Sequence, residues 1–277
     1  FIPLVEEYER ATVSLNTLNK DFPSQLKKSI LQMAVQGKLV PQDPSDEPAS
    51  VLLERIRAEK EKLIAAGTIK RDKSESVIFR RDNSHYEKLG GIERCIDDEI
   101  PFEIPSNWRW CRLKTVAKVL GGKRIPAGRK LLVENTGHIY IRVSDMKDGT
   151  VRTDNLLYVP DDIYPTISRY IIRKDDIYIT VAGTIGAVGK IPESLDGANL
   201  TENADRIVFN IINQDWFILF LSSPFIQEQI AAATTQVGQP KLAIMRIEDF
   251  LIPLPPLAEQ ERIVQKVEEL LPLIKRA

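Results

Sequence analysis

Apolar positions recur with a helical period at both ends of the chain and with a strand-like period in the middle. Leu4, Tyr8, Ala11, Leu15, Leu18 and Phe22 alternate spacings of four and three, the seam of a heptad repeat. Pro23 is expected to interrupt that seam, because proline fixes φ and lacks a donor. Leu26, Ile30 and Met33 then resume it as far as Gly37, which is placed to follow a helix C-terminus. At the other end, Pro255 and Pro256 shut off what precedes them, and Ile263, Val264, Val267, Leu270, Leu271 and Ile274 fall on one stripe. Glu259 and Glu261 in the first turn and Lys275 and Arg276 near the end suit the helix dipole. Each stripe needs a partner. The simplest arrangement pairs them antiparallel, with Leu4, Tyr8, Leu15, Leu18, Leu26, Ile30 and Met33 facing Ile263, Val264, Val267, Leu271 and Ile274.

Pro41–Ser50 is rich in proline and acid and reads as a hinge. Asp46 or Ser50 is placed to cap a helix over Val51–Ala66, and Gly67–Asp98 is polar and poorly periodic, so part of it is expected to be loop. From Ile100 the texture changes to short, β-branched runs punctuated by Gly, Pro and Asn: Arg112–Leu120, His138–Val143, Tyr170–Val181, Ala187–Ile191 and Arg206–Ile212. Ile177–Val181 and Ala187–Ile191 flank Gly183 and Gly186 and read as a hairpin. Trp216–Ser222 begins a helical run that Pro224–Thr234 continues, and Thr235–Pro240 ends it as a loop. The expected organisation is a helical region over 1–42, a connecting region over 43–99, an α+β domain over 100–256 and a closing helix over 257–277. The segments Phe1–Val5 and Leu270–Ile274 share a Pro-Leu core, as one half of a tandem duplication would.

Composition removes several function classes. The chain has 277 residues and a formal net charge of −1, so any attraction for nucleic acid must come from a local patch. Cys95 and Cys111 are too few and too far apart for a disulfide framework or a metal knuckle, which points to a reducing, cytoplasmic setting. The longest apolar run, Trp216–Leu221, is far too short to span a bilayer. The chain opens on Phe1 and is expected to be a fragment or a processed product. His85 and His138 stand alone, so no metal cage or triad is visible. Gly183, Gly186 and Gly189 do not match a dinucleotide fingerprint, and Asp145-Met-Lys147 lacks an upstream Pro-Asp partner for a nuclease centre. Leu254 stands before Pro255-Pro256 where an amino-methyltransferase loop would carry Asn, Asp or Ser. The chain reads as non-catalytic. What remains is Gly121–Lys130, with Lys123, Arg124, Arg129 and Lys130 beside glycine and no acid among them. Such a loop can approach a phosphate backbone, and its arginines can reach guanine edges. Arg142, Ser144, Thr184, Gln236, Gln239 and Lys241 carry the groups that could converge with it. A solvated loop and hydrogen bonds within the domain account for these residues equally well.

Ile252–Leu271, opening Ile252-Pro-Leu-Pro-Pro-Leu-Ala-Glu-Gln-Glu-Arg-Ile-Val264, closely resembles the end of a target recognition domain running into a conserved helix of type I restriction-modification specificity subunits. Lys27–Gln42 with Asp46-Glu-Pro-Ala-Ser50 resembles the family's central region. Ile104-Pro-Ser-Asn-Trp-Arg-Trp110 with Arg112-Leu resembles a recognition-domain start, and Tyr140–Met146 and Asn199–Ile207 resemble its interior. The resemblance implies an α+β recognition domain flanked by long helices that pair as an antiparallel coiled coil. In the family two such domains each read half of a bipartite site in double-stranded DNA, and the subunit itself makes no chemical change. Modification subunits transfer methyl from S-adenosylmethionine to adenine, and restriction subunits, with ATP and Mg2+, translocate and cut; base flipping would belong to the modification partner. No cofactor is implied for this chain. It carries one recognition domain, not two, and so is expected to be either a cut-down piece or a natural half that dimerises. The alternative is a scaffold module that reads no bases.

Overall fold

The computed structural model describes residues 21–71, 75–235 and 238–274; Leu4, Tyr8, Leu15, Leu18 and Gln236 lie outside them. Residues 21–35 form helix α1. Asp21 and Phe22 are helical ahead of Pro23, which thus lies in the first described turn, where its fixed φ suits a helix; the seam before residue 21 lies outside the described residues. Gly37 ends the helix with φ 69°. Lys38 N–H donates to the Met33 carbonyl (2.9 Å) and Gly37 N–H to that of Ala34 (3.4 Å), the paired closure of a left-handed cap. A Cβ at Gly37 would lie 2.4 Å from Pro105, so the same glycine lets the helix end press on the following domain. Ile30, Ala34 and Val35 join the main core and Leu26 packs against it, whereas Met33 is exposed and falls outside this stripe. At 3.6 residues per turn the next residue of the main core after Ile30 is Ala34, four positions on.

Helix α2 (Ala49–Ala65) buries Ala49, Leu52 and Ile56. Neither Asp46 nor Ser50 caps it: Pro48 holds the N-cap place, and Asp46 binds Arg262 instead. The polar stretch after it is irregular over residues 67–71, as expected, and sheet from Ser76 onward. Strands β1 (Ser76–Arg81), β2 (Ser84–Leu89) and β3 (Ile92–Cys95) form a three-stranded antiparallel meander. Asp82 and Asn83 (φ 51° and 66°) and Gly90 and Gly91 (φ 57° and 92°) make its turns, both with the left-handed pair that matches strand twist. Its inward anchor is a charge. The buried Glu87 carboxylate accepts from Ser76 Oγ (2.6 Å), from Arg112 Nε and Nη2 (2.9 and 2.8 Å) and from Arg94 Nη2 (2.6 Å). Burial alone would raise this group, but those bonds outweigh it and hold it down at about 2.

Strands β4 (Arg109–Arg112) and β5 (Ala117–Gly121) flank the one-turn helix α3 (Leu113–Val116). Short strands β6 (Ile139–Ile141), β7 (Met146–Lys147), β8 (Thr150–Val151) and β9 (Leu157–Tyr158) lead to α4 (Tyr164–Ile167). The expected hairpin is present as β10 (Ile177–Thr180) and β11 (Val188–Lys190), with Ile179 opposite Val188. After β12 (Asn199–Leu200) and β13 (Ala204–Phe209), the principal sheet has the order β11-β10-β13-β5, antiparallel throughout, while β12-β6-β9 form a second sheet with β12 and β6 parallel. Ile177, Ile179, Ile207 and Val119 face the main core with Trp216, Phe217 and Phe220; Tyr178 and Ala204 face a second cluster with Ile141, Ile172 and Leu200. Burial on both faces explains why β10 reads as a continuous apolar run. The predicted single helical run is two helices, α5 (Gln214–Leu221) and α6 (Pro224–Ala233), because Pro224 opens a new first turn.

Helix α7 (Ile244–Glu248) precedes β14 (Leu251–Leu254), which pairs with β4, Leu254 opposite Arg109. Helix α8 (Leu257–Ile274) starts at this neck and buries Ile263, Val267 and Ile274 in the main core. Glu259, fully buried, accepts from Trp108 Nε1 (2.8 Å) and from Gln42 Nε2 (2.6 Å); burial raises its carboxyl against those bonds. Gln260 Oε1 accepts from Asn213 N–H (2.9 Å), and Arg262 Nη1 binds Asp46 (3.0 Å). Pro23 and Lys27 share a groove with Leu271 and Ile274, while the turn after α1 meets the start of α8, so the two helices run in opposite directions.

Candidate nucleic-acid interface

Strands β5, β6, β10 and β12 all end, and β13 begins, at one rim of the domain. Backbone bonds hold these ends together: Gly122 N–H to the Ala204 carbonyl (3.2 Å), Lys123 N–H to Leu200 (2.8 Å), Thr201 N–H to Ile141 (3.1 Å) and Val181 N–H to Asn203 (2.8 Å). The turn through Gln239 joins them where Leu242 N–H meets the Val181 carbonyl (3.0 Å), and the Thr235 hydroxyl and Lys241 backbone close it at 3.2 Å. Gly122 is required there, since a Cβ would lie 2.0 Å from the Thr201 carbonyl oxygen. The fold therefore gathers Lys123, Arg124, Ser144, Thr184, Gln239 and Lys241 on one rim, all exposed.

Their commitments differ. The basic stretch has no acid of its own, but the fold supplies two. Arg124 Nε binds Glu202 (2.5 Å), and Arg129 Nη2 binds Asp162 (2.7 Å to Oδ1). Burial would raise Glu202; the Arg124 bond draws it below the usual range. Arg142 is occupied: Nε and Nη2 bind Asp145 (2.9 and 2.6 Å) and Nη2 also reaches the Asn155 carbonyl (2.9 Å), bracing the turn that presents Ser144. Lys123, Lys130 and Lys241 form no ion pair among the described residues. Sequence reasoning missed Arg169 and Tyr170. Tyr170, beside Leu200, has the Arg169 guanidinium 4.9 Å and the Lys123 ammonium 5.8 Å from its ring centre, an aromatic platform between two cations. Asp205, on β13 opposite Gly121, is 4% exposed, and its Oδ2 has no partner. Burial pushes its carboxyl up to about 6, against the pull of Lys241. Among the described residues no group of three His, Cys, Asp or Glu could hold a metal ion, and no helix is long and apolar enough to cross a membrane.

Residues 105–275 match the model of the type I restriction modification DNA specificity domain. The chain belongs to this family. It is 31% identical to the specificity subunit of the type I restriction enzyme EcoAI of Escherichia coli over 97% of its own length, and 28% identical to that of EcoEI of the same species over 96%. In each case it spans 43% of the relative. A solved chain from a study of complex assembly and conformational transition of the type I R-M system shares the fold, with a TM-score of 0.51 at 18% identity, over 82% of this chain and 50% of that one. The Glu259–Gln260 and Arg262 contacts at the neck give the resemblance over Ile252–Leu271 a physical content: the motif locks the last helix onto the domain.

Proposed function

We propose that this chain reads the sequence of one half of a bipartite double-stranded DNA target and positions modification and restriction subunits there, itself carrying no catalytic group. The convergence of Lys123, Thr184, Gln239 and Lys241 on one rim carries this reading. The lysines would take phosphates and set register; Ser144, Thr184 and Gln239 would face base edges, with Gln239 suited to adenine. Arg124 and Arg129 would exchange their carboxylates for phosphates on docking. The opposed helices α1 and α8, paired as an antiparallel coiled coil that the Leu4–Leu18 seam would continue, would hold the rim at a fixed distance from a second recognition unit. A second copy of the chain could supply that unit as a homodimer. S-adenosylmethionine, ATP and Mg2+ would belong to the partner subunits, and the setting would be cytoplasmic.

The test replaces Lys123, Lys130 and Lys241 together by Ala and measures DNA binding in the presence of the modification subunit. Affinity is expected to fall uniformly across sequences, with the slope of log K on log salt shrinking by about 0.9 for each phosphate that is no longer neutralised. Unchanged binding would sink the reading. A second reading, a scaffold that touches only proteins, draws support from the Arg124–Glu202 and Arg129–Asp162 pairs, which neutralise both arginines of the basic loop. It predicts unchanged DNA affinity in the same variant.

A further inference from the structure

The end of the principal sheet opposite the rim carries a groove. Phe209 lies opposite Ala117 there, at the far end of the β13–β5 ladder from Asp205 and Gly121. Ile56 and Leu63 of α2, with Phe209 and Ile211, make an apolar floor. Two features mark this floor as built for contact. Strand β5 is the sheet's edge, so one side of its backbone lacks a strand partner. Ile211 is 37% exposed at φ 70°, a backbone conformation that β-branched residues rarely adopt and that clusters at ligand clamps.

The charges around the floor have a definite sign. Lys62 occupies Glu59 (3.1 Å) and Asp249 occupies Lys114 (2.8 Å). That leaves Lys60, Lys70 and Lys118 lining the groove without an ion pair among the described residues, against Glu248 alone. An occupant that suits both floor and border has apolar side chains on one face and carboxylates along its margin. Nucleic acid suits the lysines but gains nothing from the floor. We propose that this groove docks an acidic, apolar-faced segment of a partner protein, so that one end of the sheet meets DNA and the other meets protein. The proposal rests on the specificity-subunit reading, which supplies the partner to test.

The experiment titrates the purified modification subunit against the whole chain and two variants, one with Lys60→Glu, Lys70→Glu and Lys118→Glu together and one with Ile211→Asn. Lys70, Lys118 and Ile211 are exposed, Lys60 is half-exposed, and Asn tolerates a positive φ, so both variants are expected to keep the parent unfolding midpoint. The charge reversal is expected to weaken assembly at least tenfold and Ile211→Asn severalfold, while replacing the rim lysines leaves assembly unchanged. Assembly indifferent to the charge reversal overturns the proposal alone. A charge reversal that spares assembly but weakens the complex's hold on DNA makes the groove a nucleic-acid surface and also overturns it. So does self-association of the unaltered chain that disappears in the variant. Failure of the unaltered chain to bind the modification subunit overturns the specificity-subunit reading, and this proposal with it.

Discussion

Asp205 is a carboxylate 4% exposed, with an Oδ2 that is buried and that no donor answers. The folded chain holds its proton up to about pH 6, whereas an unfolded carboxyl of this kind releases it near 3.8, so protonation favours the fold in that window. Stability is therefore expected to fall by roughly 3 kcal/mol from this group as pH rises through the window. Asp205→Asn should flatten that slope, measured by urea denaturation at pH 4 and pH 7. A variant slope as steep as the parent's would refute the assignment. None of this was legible in the sequence. Asp205 reads as an ordinary polar position in Asn199–Ile207, and its isolation depends on Gly121 and Lys241, which only the fold brings near. The exposed residues of the rim were legible as types of group, because Lys beside Gly and Gln beside Thr carry their chemistry wherever they sit. Their carboxylate partners were not: Glu202 lies 78 residues from Arg124.

At the scale of elements, the hairpin β10–β11 was readable because apolar runs flank glycines that permit the turn. The meander β1–β3 was not, because β2 and β3 are mostly polar and their fully buried side chain is Glu87, with Ile78 the apolar residue that packs on the main core. Its signals were the turn pairs Asp82-Asn83 and Gly90-Gly91. Removing Glu87 leaves Arg112 buried and short of a partner, so Glu87→Ala is expected to cost about 3 kcal/mol. The parent carboxyl stays charged down to about pH 2 in the fold but only to about 4.5 when unfolded. Its contribution is thus complete above pH 4.5 and disappears as pH falls toward 2. Acid denaturation of parent and variant should converge over that interval, and curves that stay parallel would argue against the network.

At the scale of the molecule, the two apolar stripes implied that the ends need partners, and an antiparallel pair was the simplest arrangement of them. What it concealed is that α8 is also part of the domain core, through Ile263 and Val267. Glu259 could not be read as a keystone because Trp108 and Gln42 lie 151 and 217 residues away. A chain ended at Pro256 is therefore expected to lose cooperative unfolding, with loss of near-ultraviolet circular dichroism as the readout; a sharp, parent-like melt would show α8 to be a detachable spacer. The pairing of β4 with β14 has a mechanical consequence. Arg109, where the chain comes into the domain, and Leu254, where it goes out, are opposite each other. Tension drawn between α1 and α8 would first load the Gln42–Glu259 and Asp46–Arg262 bonds, and then open this pair like a zipper, one bond at a time from the end beside Trp108. Until the last of those bonds parts, the sheet that presents the rim carries none of the load.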